Sequence, residues 1–491
     1  MRLIPTLLLF LLTLAAPGHA QPLPPLLVPG DEPIVVRQHE LRTSRGRLRY
    51  ESRAGRLPIR NDETGEVRGR VYFTAYVVPQ ADRRPRPLTF LWNGGPTVNS
   101  LLLHVEMFGP RRLEGDGFVD NLETLLTASD IVFYDPIGTG FSRPENDEAA
   151  QEFYSVIGDF AATAEFIRAY RARFGAGGQP LYIGGESYGT WRAGGVAELL
   201  AGAGIDLAGV LLISGGIPGS QMPDSFSDAL YVPARTAAAF HHNRLAPDLM
   251  RDRAETLRQV AEWARNTYRP ALERVANLSA SERERIARDL ARFTGVRPEL
   301  VERSTLVMSN RAYLRSLFEG DAARVLNTFD MRIAGGEPPN PGRRRAIADY
   351  LRRDLGYATD LAYSGLESGY MPRPGPDRRS SGSRWSYNHV EITPAMMVRA
   401  QAGGGPPGSQ PWLQRAMRAD TDLRVFVAAG RFDSLNMCDG NHDMIARLEP
   451  QLAGRFTLRC YEGGHMMYRD GPERRRLADD VRQFVTGNSG E

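Results

Sequence analysis

Leu181-Tyr182-Ile183-Gly184-Gly185-Glu186-Ser187-Tyr188-Gly189 is the stretch whose reading decides the fold of this chain. A short apolar run leads into Gly185-Glu186-Ser187-Tyr188-Gly189, a G-x-S-x-G turn, and residues 190–203 follow with helix-like character. A serine on so tight a strand-to-helix turn adopts strained backbone, and only small neighbours let strand and helix approach closely. The turn lifts the Ser187 hydroxyl clear of the sheet, where a base and a carbonyl can both reach it. Glu186 is the unusual residue here. A carboxylate directly beside a nucleophile that generates an oxyanion calls for a reason.

Outward from this turn, apolar strand-like runs alternate with helical spacing. Upstream lie residues 34–41, 47–51 and 71–78, then 88–92 ending in Asn93-Gly94-Gly95-Pro96, and 131–134 ending in Asp135-Pro136-Ile137-Gly138-Thr139-Gly140. Residues 153–174 carry Phe160, Ala164, Ile167 and Tyr170 at helical spacing, and 209–213 reads as a further strand. Strands alternating with helices, with glycine-rich turns at strand ends, predict a mostly parallel α/β sheet. From Ser220 to about Ala402 the rhythm breaks into arginine-rich helical segments such as 249–278 and 281–293, the latter started by Ser279-Ala280-Ser281-Glu282. Strand signals resume at 423–427 and 456–460, before a terminal helix near 473–484. The expected organisation is therefore a signal at 1–20 and a proline-rich leader at 21–33. An α/β core at 34–219 and 403–491 follows, with a mainly helical cap inserted at 220–402. An independent second domain is the alternative for the middle segment.

The 491 residues can bury a large core. The formal net charge is +3, and the 61 basic residues are all arginine, which excludes Schiff-base lysines, Ser-Lys dyads and P-loop phosphate lysines. Runs such as Arg343-Arg344-Arg345 lack interleaved aromatics, so no nucleic-acid partner is expected. Arg2, the apolar run 3–16 and Gly18-His19-Ala20 compose an export signal, predicting a periplasmic or secreted protein. No later segment reaches spanning length, so no stable membrane insertion is expected after cleavage. In a disulfide-permissive compartment Cys438 and Cys460 can pair, although their separation alone does not establish it.

Ser187 needs a base, and the base needs an orienting acid. The α/β-hydrolase chain order Ser…Asp…His places both after Ser187, at strand ends. Asp433 follows the run 423–427, and His465 follows 456–460 in Glu462-Gly463-Gly464-His465. Asp439 and Asp443 are the alternatives for the acid, and His442 lies too near Asp433 to come from the next strand end. An oxyanion hole needs two backbone N–H groups, expected from Tyr188 and from Gly95. No metal or cofactor is implied, because the histidines lack ligand spacing such as H-x-x-x-H.

Four segments in order, Trp92-Asn93-Gly94-Gly95-Pro96, Asp135 to Ser142, Gly185 to Gly189 and Gly464-His465-Met466, resemble the serine carboxypeptidases. The cap segment Asp330 to Gly335 with Trp385, and His465-Met466-Met467-Tyr468, resemble the bacterial branch of that family. The chain departs from the family pattern at Thr97, where a glycine is usual, and it lacks the usual cysteine nearby. The resemblance implies an α/β-hydrolase fold and removal of C-terminal residues from peptides at acidic pH. It also supplies a reason for Glu186, since Asn93, Gly94 and Glu186, assisted by Glu106, would bind the substrate's free C-terminal carboxylate. Clustered acids facing a carboxylate cannot all be ionised, so at least one must hold a proton. An esterase or acyltransferase on the same residues, and a non-catalytic binding module, are the rival readings.

Overall fold

The computed structural model describes residues 32–43, 46–79, 85–219, 224–318, 320–321, 324–336, 340–366, 381–394, 396–397 and 409–487. The expected signal and most of the leader lie outside them. Twelve strands are described: β1 (Val35–Thr43), β2 (Gly46–Arg60), β3 (Val67–Val77), β4 (Leu88–Trp92), β5 (Arg111–Glu114), β6 (Gly117–Asp120), β7 (Asp130–Tyr134), β8 (Arg143–Pro144), β9 (Leu181–Glu186), β10 (Gly209–Ile213), β11 (Arg424–Gly430) and β12 (Phe456–Tyr461). The main sheet runs β1-β2-β3-β7-β4-β9-β10-β11-β12, with β8 beside β3, while β5 and β6 form a separate hairpin. Pairing is antiparallel from β1 to β7 and parallel from β7 to β12. The central strands are continuous apolar runs because both faces are covered. Along β4, Phe90 and Trp92 enter one core cluster and Leu91 the other; along β10, Val210 and Leu212 oppose Leu211 and Ile213 in the same way.

Helices α1 (Asp147–Phe153), α2 (Val156–Phe174) and α3 (Gly189–Gly202) follow the sheet's connections. The first face of the sheet is covered by α2, α3 and the helix Trp412–Ala419, and the second by residues 347–366 and the C-terminal helix Gly471–Thr486. The single helix expected over 153–174 is broken at Ser155, whose side chain accepts from the Gly158 N–H and caps a new helix. Strand β2 extends well past the expected 47–51, because Ser52 and Ala54 are buried on one face of a polar-looking sequence and Leu57 and Ile59 on the other.

Between β10 and β11 the described elements are helical and enclose their own apolar cluster, from Val232 and Val260 to Leu290 and Tyr313. Helix Ala280–Thr294 starts in a capping box, Ser279 and Glu282 bonding each other's backbone N–H. No described helix is long and apolar enough to cross a membrane.

Cys438, at the start of the helix that follows β11, is disulfide-bonded to Cys460 near the end of β12, with Cα atoms 5.7 Å apart. The bridge closes a loop of sequence separation 22. Loop-closure entropy for that length amounts to about 3 kcal/mol. Replacing both cysteines by serine is expected to lower stability by about that amount, read as a lower urea midpoint.

Candidate active site

Strands β4 and β9 are parallel neighbours, with Trp92 opposite Gly185, so Asn93 and Glu186 leave the sheet side by side. The chain turns sharply after Glu186. Ser187 has φ +61°, in the left-handed region that a residue with a Cβ enters only under constraint. That constraint is visible: the Ser187 N–H donates to the Ile213 carbonyl at 2.9 Å, and the Ser187 carbonyl accepts from both the N–H and the hydroxyl of Thr190 at 2.9 Å. Two glycines are sterically required. A Cβ on Gly185 would sit 2.1 Å from the Gly189 carbonyl oxygen, and one on Gly94 would sit 2.6 Å from both the Glu186 carbonyl oxygen and the Tyr188 nitrogen. The turn after β4 is thus pressed against the start of α3. Gly95, at φ +99°, lies on that turn and is exposed.

Asp433 and His465 come from the loops that follow β11 and β12, whose last pairing is Gly430 with Tyr461. The His465 Nδ1 lies 2.6 Å from the Asp433 Oδ2, and both residues are almost wholly buried. The other Asp433 oxygen accepts from the Leu435 N–H at 2.8 Å, which orients the carboxylate. Asp443 instead pairs with Arg265 at 3.1 Å, and the His442 ring is largely exposed. A segment from the helical region stitches these loops together. The Phe329 carbonyl accepts from the His465 N–H at 2.5 Å, the Thr328 carbonyl from the Ser434 hydroxyl at 2.7 Å, and the Phe432 carbonyl from the Met331 N–H at 2.9 Å. Ser214, at the end of β10, donates its hydroxyl to the His465 carbonyl.

Ser187, His465, Asn93, Gly94, Gly95 and Glu186 line one cleft of about 1060 Å³. Its outer walls include Phe329 and Ile333, both exposed, and Trp385. Glu186 is 2% exposed: its Oε1 accepts from the Asn93 amide at 3.1 Å and its Oε2 from the Tyr468 hydroxyl at 2.6 Å. The Asn93 side-chain oxygen accepts from the Leu103 N–H at 3.2 Å, which fixes which end of the amide faces Glu186. Burial raises the Glu186 pKa to about 7. For His465, burial pulls the pKa down, and the charge and hydrogen bond of Asp433, with the charge of Glu186, more than offset it.

Glu106 reaches Glu186 through its charge, which adds to the rise in the Glu186 pKa. It lies on a π-helical segment, Leu102–Phe108, and its carboxylate is taken by two guanidiniums: Arg469 Nε at 2.8 Å, and Arg343. The hydroxyl that reaches Glu186 belongs to Tyr468, and Arg469, the next residue, lines the cleft. Tyr468, Arg469 and Phe329 went unassigned by sequence reasoning. For the first two the signal was proximity, since both follow His465 within a short 3₁₀ turn, Met467–Arg469. Among the described residues, no three or more His, Cys, Asp or Glu gather to hold a metal ion.

A folded-state pKa raised from 4.5 to about 7 makes the ionised Glu186 the costly form. Stability is then greatest where the acid is protonated and falls as pH rises from near 4.5 through 7, by on the order of 3 kcal/mol. Glu186→Gln, neutral throughout, is expected to remove that slope and to exceed the parent in stability at pH 8, measured by urea midpoints across the range.

A family model for the serine carboxypeptidases matches residues 49–203, which contain β4, the elbow and α3. No curated protein sequence matches the chain. Among solved structures, the chain is similar to Kex1(delta)p, a prohormone-processing carboxypeptidase from Saccharomyces cerevisiae. The two share 15% identity over 89% of this chain and 90% of that one, with a TM-score of 0.51. More distant likenesses are a thermophilic esterase from Thermogutta terrifontis (13% identity, 88% and 100% coverage, TM-score 0.35) and homoserine O-acetyltransferase from Staphylococcus aureus (10%, 90% and 97%, 0.37). The fold is that of the α/β hydrolases, and residues 49–203 are similar to the serine carboxypeptidase family.

Proposed function

We propose that this protein is an exported carboxypeptidase that releases C-terminal residues from peptides through Ser187, His465 and Asp433. The observation that carries the reading is the buried, hydrogen-bonded Glu186 beside Ser187 on the shared cleft, with a pKa raised to about 7. An acid that keeps its proton in mildly acidic solution can donate a hydrogen bond to a carboxylate, which an ionised one would repel. The Asn93 amide has a second N–H beyond the one given to Glu186, and Gly94 lies beside it on the cleft. Together they suit the free end of a peptide chain, and they set the bond cleaved as the last one. Glu106 would contribute indirectly, by orienting Arg469.

In the proposed reaction His465 takes the proton of Ser187 as its oxygen attacks the last peptide carbonyl. The Tyr188 and Gly95 N–H groups receive the developing oxyanion. His465 returns the proton to the leaving amino acid, and water then hydrolyses the acyl-enzyme by the reverse use of the same base. Asp433 holds the imidazole tautomer through its 2.6 Å bond to Nδ1. Export rests on residues 1–20, which lie outside the described part of the chain.

The two protonation requirements pull against each other. Glu186 must be protonated and His465 neutral, yet each charge stabilises the other, so the pair titrates as a unit. Arg469 and Glu106 add opposing charges nearby, and Tyr468 and Asn93 complete the surroundings of Glu186. The resulting kcat/KM profile is expected to be bell-shaped and mildly acidic, with Glu186→Gln shifting its alkaline limb upward by one unit or so. A peptide with a free C-terminus should be cleaved at least a hundredfold faster than its C-terminal amide. Equal rates on the two would remove the carboxypeptidase reading and leave an esterase or acyltransferase. Ser187→Ala should abolish both turnover and labelling by a fluorophosphonate.

A further inference from the structure

The first turn of α3 contains a fully buried charge that the proposed reaction does not use. Arg192 is 0% exposed, in a helix whose inward face is otherwise small or apolar. A guanidinium is tolerated at such a site only if its donors are met and its charge is balanced. Both conditions hold. Arg192 Nε donates to Asp159 Oδ2 at 2.8 Å, Nη1 to the Asn93 carbonyl at 2.7 Å, and Nη2 to the Pro96 carbonyl at 3.0 Å. Asp159, on α2, is itself 5% exposed and also accepts from the Tyr188 hydroxyl at 3.4 Å. The Tyr188 ring lies against the guanidinium, 5.4 Å from centroid to Cζ.

One side chain therefore ties together three elements that share no backbone pairing: α2, α3 and the turn after β4. The two carbonyls it grips bracket Gly94 and Gly95. In a trans peptide the N–H points opposite to the C=O, and Gly95-Pro96 is the one cis bond among the described residues. Drawing the Asn93 and Pro96 carbonyls inward therefore aims the N–H groups of Gly94 and Thr97 away from the guanidinium, and both residues line the cleft. The planar fork of arginine suits this task; a lysine in its place would be a single point charge.

We propose that Arg192, held by Asp159, is a positioning residue that sets the turn carrying Asn93, Gly94 and Gly95 at its working distance from Ser187 and Tyr188. An oxyanion hole built from two separate elements is only as accurate as whatever holds those elements in register. This inference rests on the acyl-transfer reading above, but not on the substrate being a peptide.

Its test is read on two substrates, a peptide with a free C-terminus and a small p-nitrophenyl ester that has no carboxylate to bind. In Arg192→Lys, kcat on the ester is expected to fall by about tenfold to a hundredfold with KM changed less than threefold. That is short of the loss of a whole oxyanion donor. The peptide should show the same fall in kcat together with a raised KM, because Asn93 is also displaced. Asp159→Asn, which is isosteric and leaves the guanidinium in place, should give a smaller loss in the same direction. It carries the test if Arg192→Lys fails to fold by circular dichroism. A folded variant with unchanged kcat on the ester, or a loss confined to KM, would overturn the proposal. Turnover of the ester but not of the peptide by the parent would count against the carboxypeptidase reading alone, leaving the Arg192 comparison intact.

Discussion

The site depends on two adjacent parallel strands, β4 and β9, ending level with each other. Their register sets Trp92 opposite Gly185, so the next residues of each chain, Asn93 and Glu186, emerge at the carboxyl edge of the sheet and join in a 3.1 Å hydrogen bond. Ligands of open α/β sheets bind at such edges, because the turns diverge there and leave a crevice. The closeness is steric as much as polar. Gly94 and Gly185 stand where a methyl group would strike backbone. Every other functional group is placed relative to this pair: Ser187 by the turn that follows, and His465 and Asp433 by the neighbouring strands β11 and β12.

A second theme is the handling of buried charge. Asp433, Asp159 and Glu186 are all buried, and each meets a different environment. Asp433 faces an imidazole, Asp159 a guanidinium, and Glu186 only neutral donors, an amide and a phenol. Of these, Glu186 is the one with no bonded cation, and burial accordingly raises its pKa into the neutral range. Glu106 shows the opposite solution, a carboxylate between two arginines. Identical functional groups thus meet different partners according to what the fold sets beside them, which no residue type declares by itself.

Much of the core was legible because its signals are local. The runs at 88–92 and 209–213 coincide with β4 and β10, and residues 190–203 coincide with α3 to within a residue. Continuous apolar runs bounded by glycine turns have few alternatives when both sheet faces are covered. Where the expectations fell short, the cause was long-range. Strand β2 reads as polar because its buried positions include Ser52, Ala54 and Gly55, whose burial comes from pairing with β3. The break at Ser155 depends on a cap, and residue 155 is further tied by a bridge to Ser386, far along the chain. The segment 328–331 bonds the loops of Asp433 and His465, yet nothing in its composition points there.

The amino-acid sequence alone determined the elbow at Ser187, the alternation that makes a parallel sheet, and the order in which acid and histidine follow at strand ends. These follow from backbone sterics and periodicity, which act over a few residues. Only the tertiary structure decided that Glu186 is met by Tyr468, that Glu106 is surrendered to Arg469 and Arg343, and that Arg192 grips the turn at Asn93 and Pro96. Such pairings join residues distant in the chain. They are set by desolvation and hydrogen-bond geometry, which exist once the strands have brought the groups together.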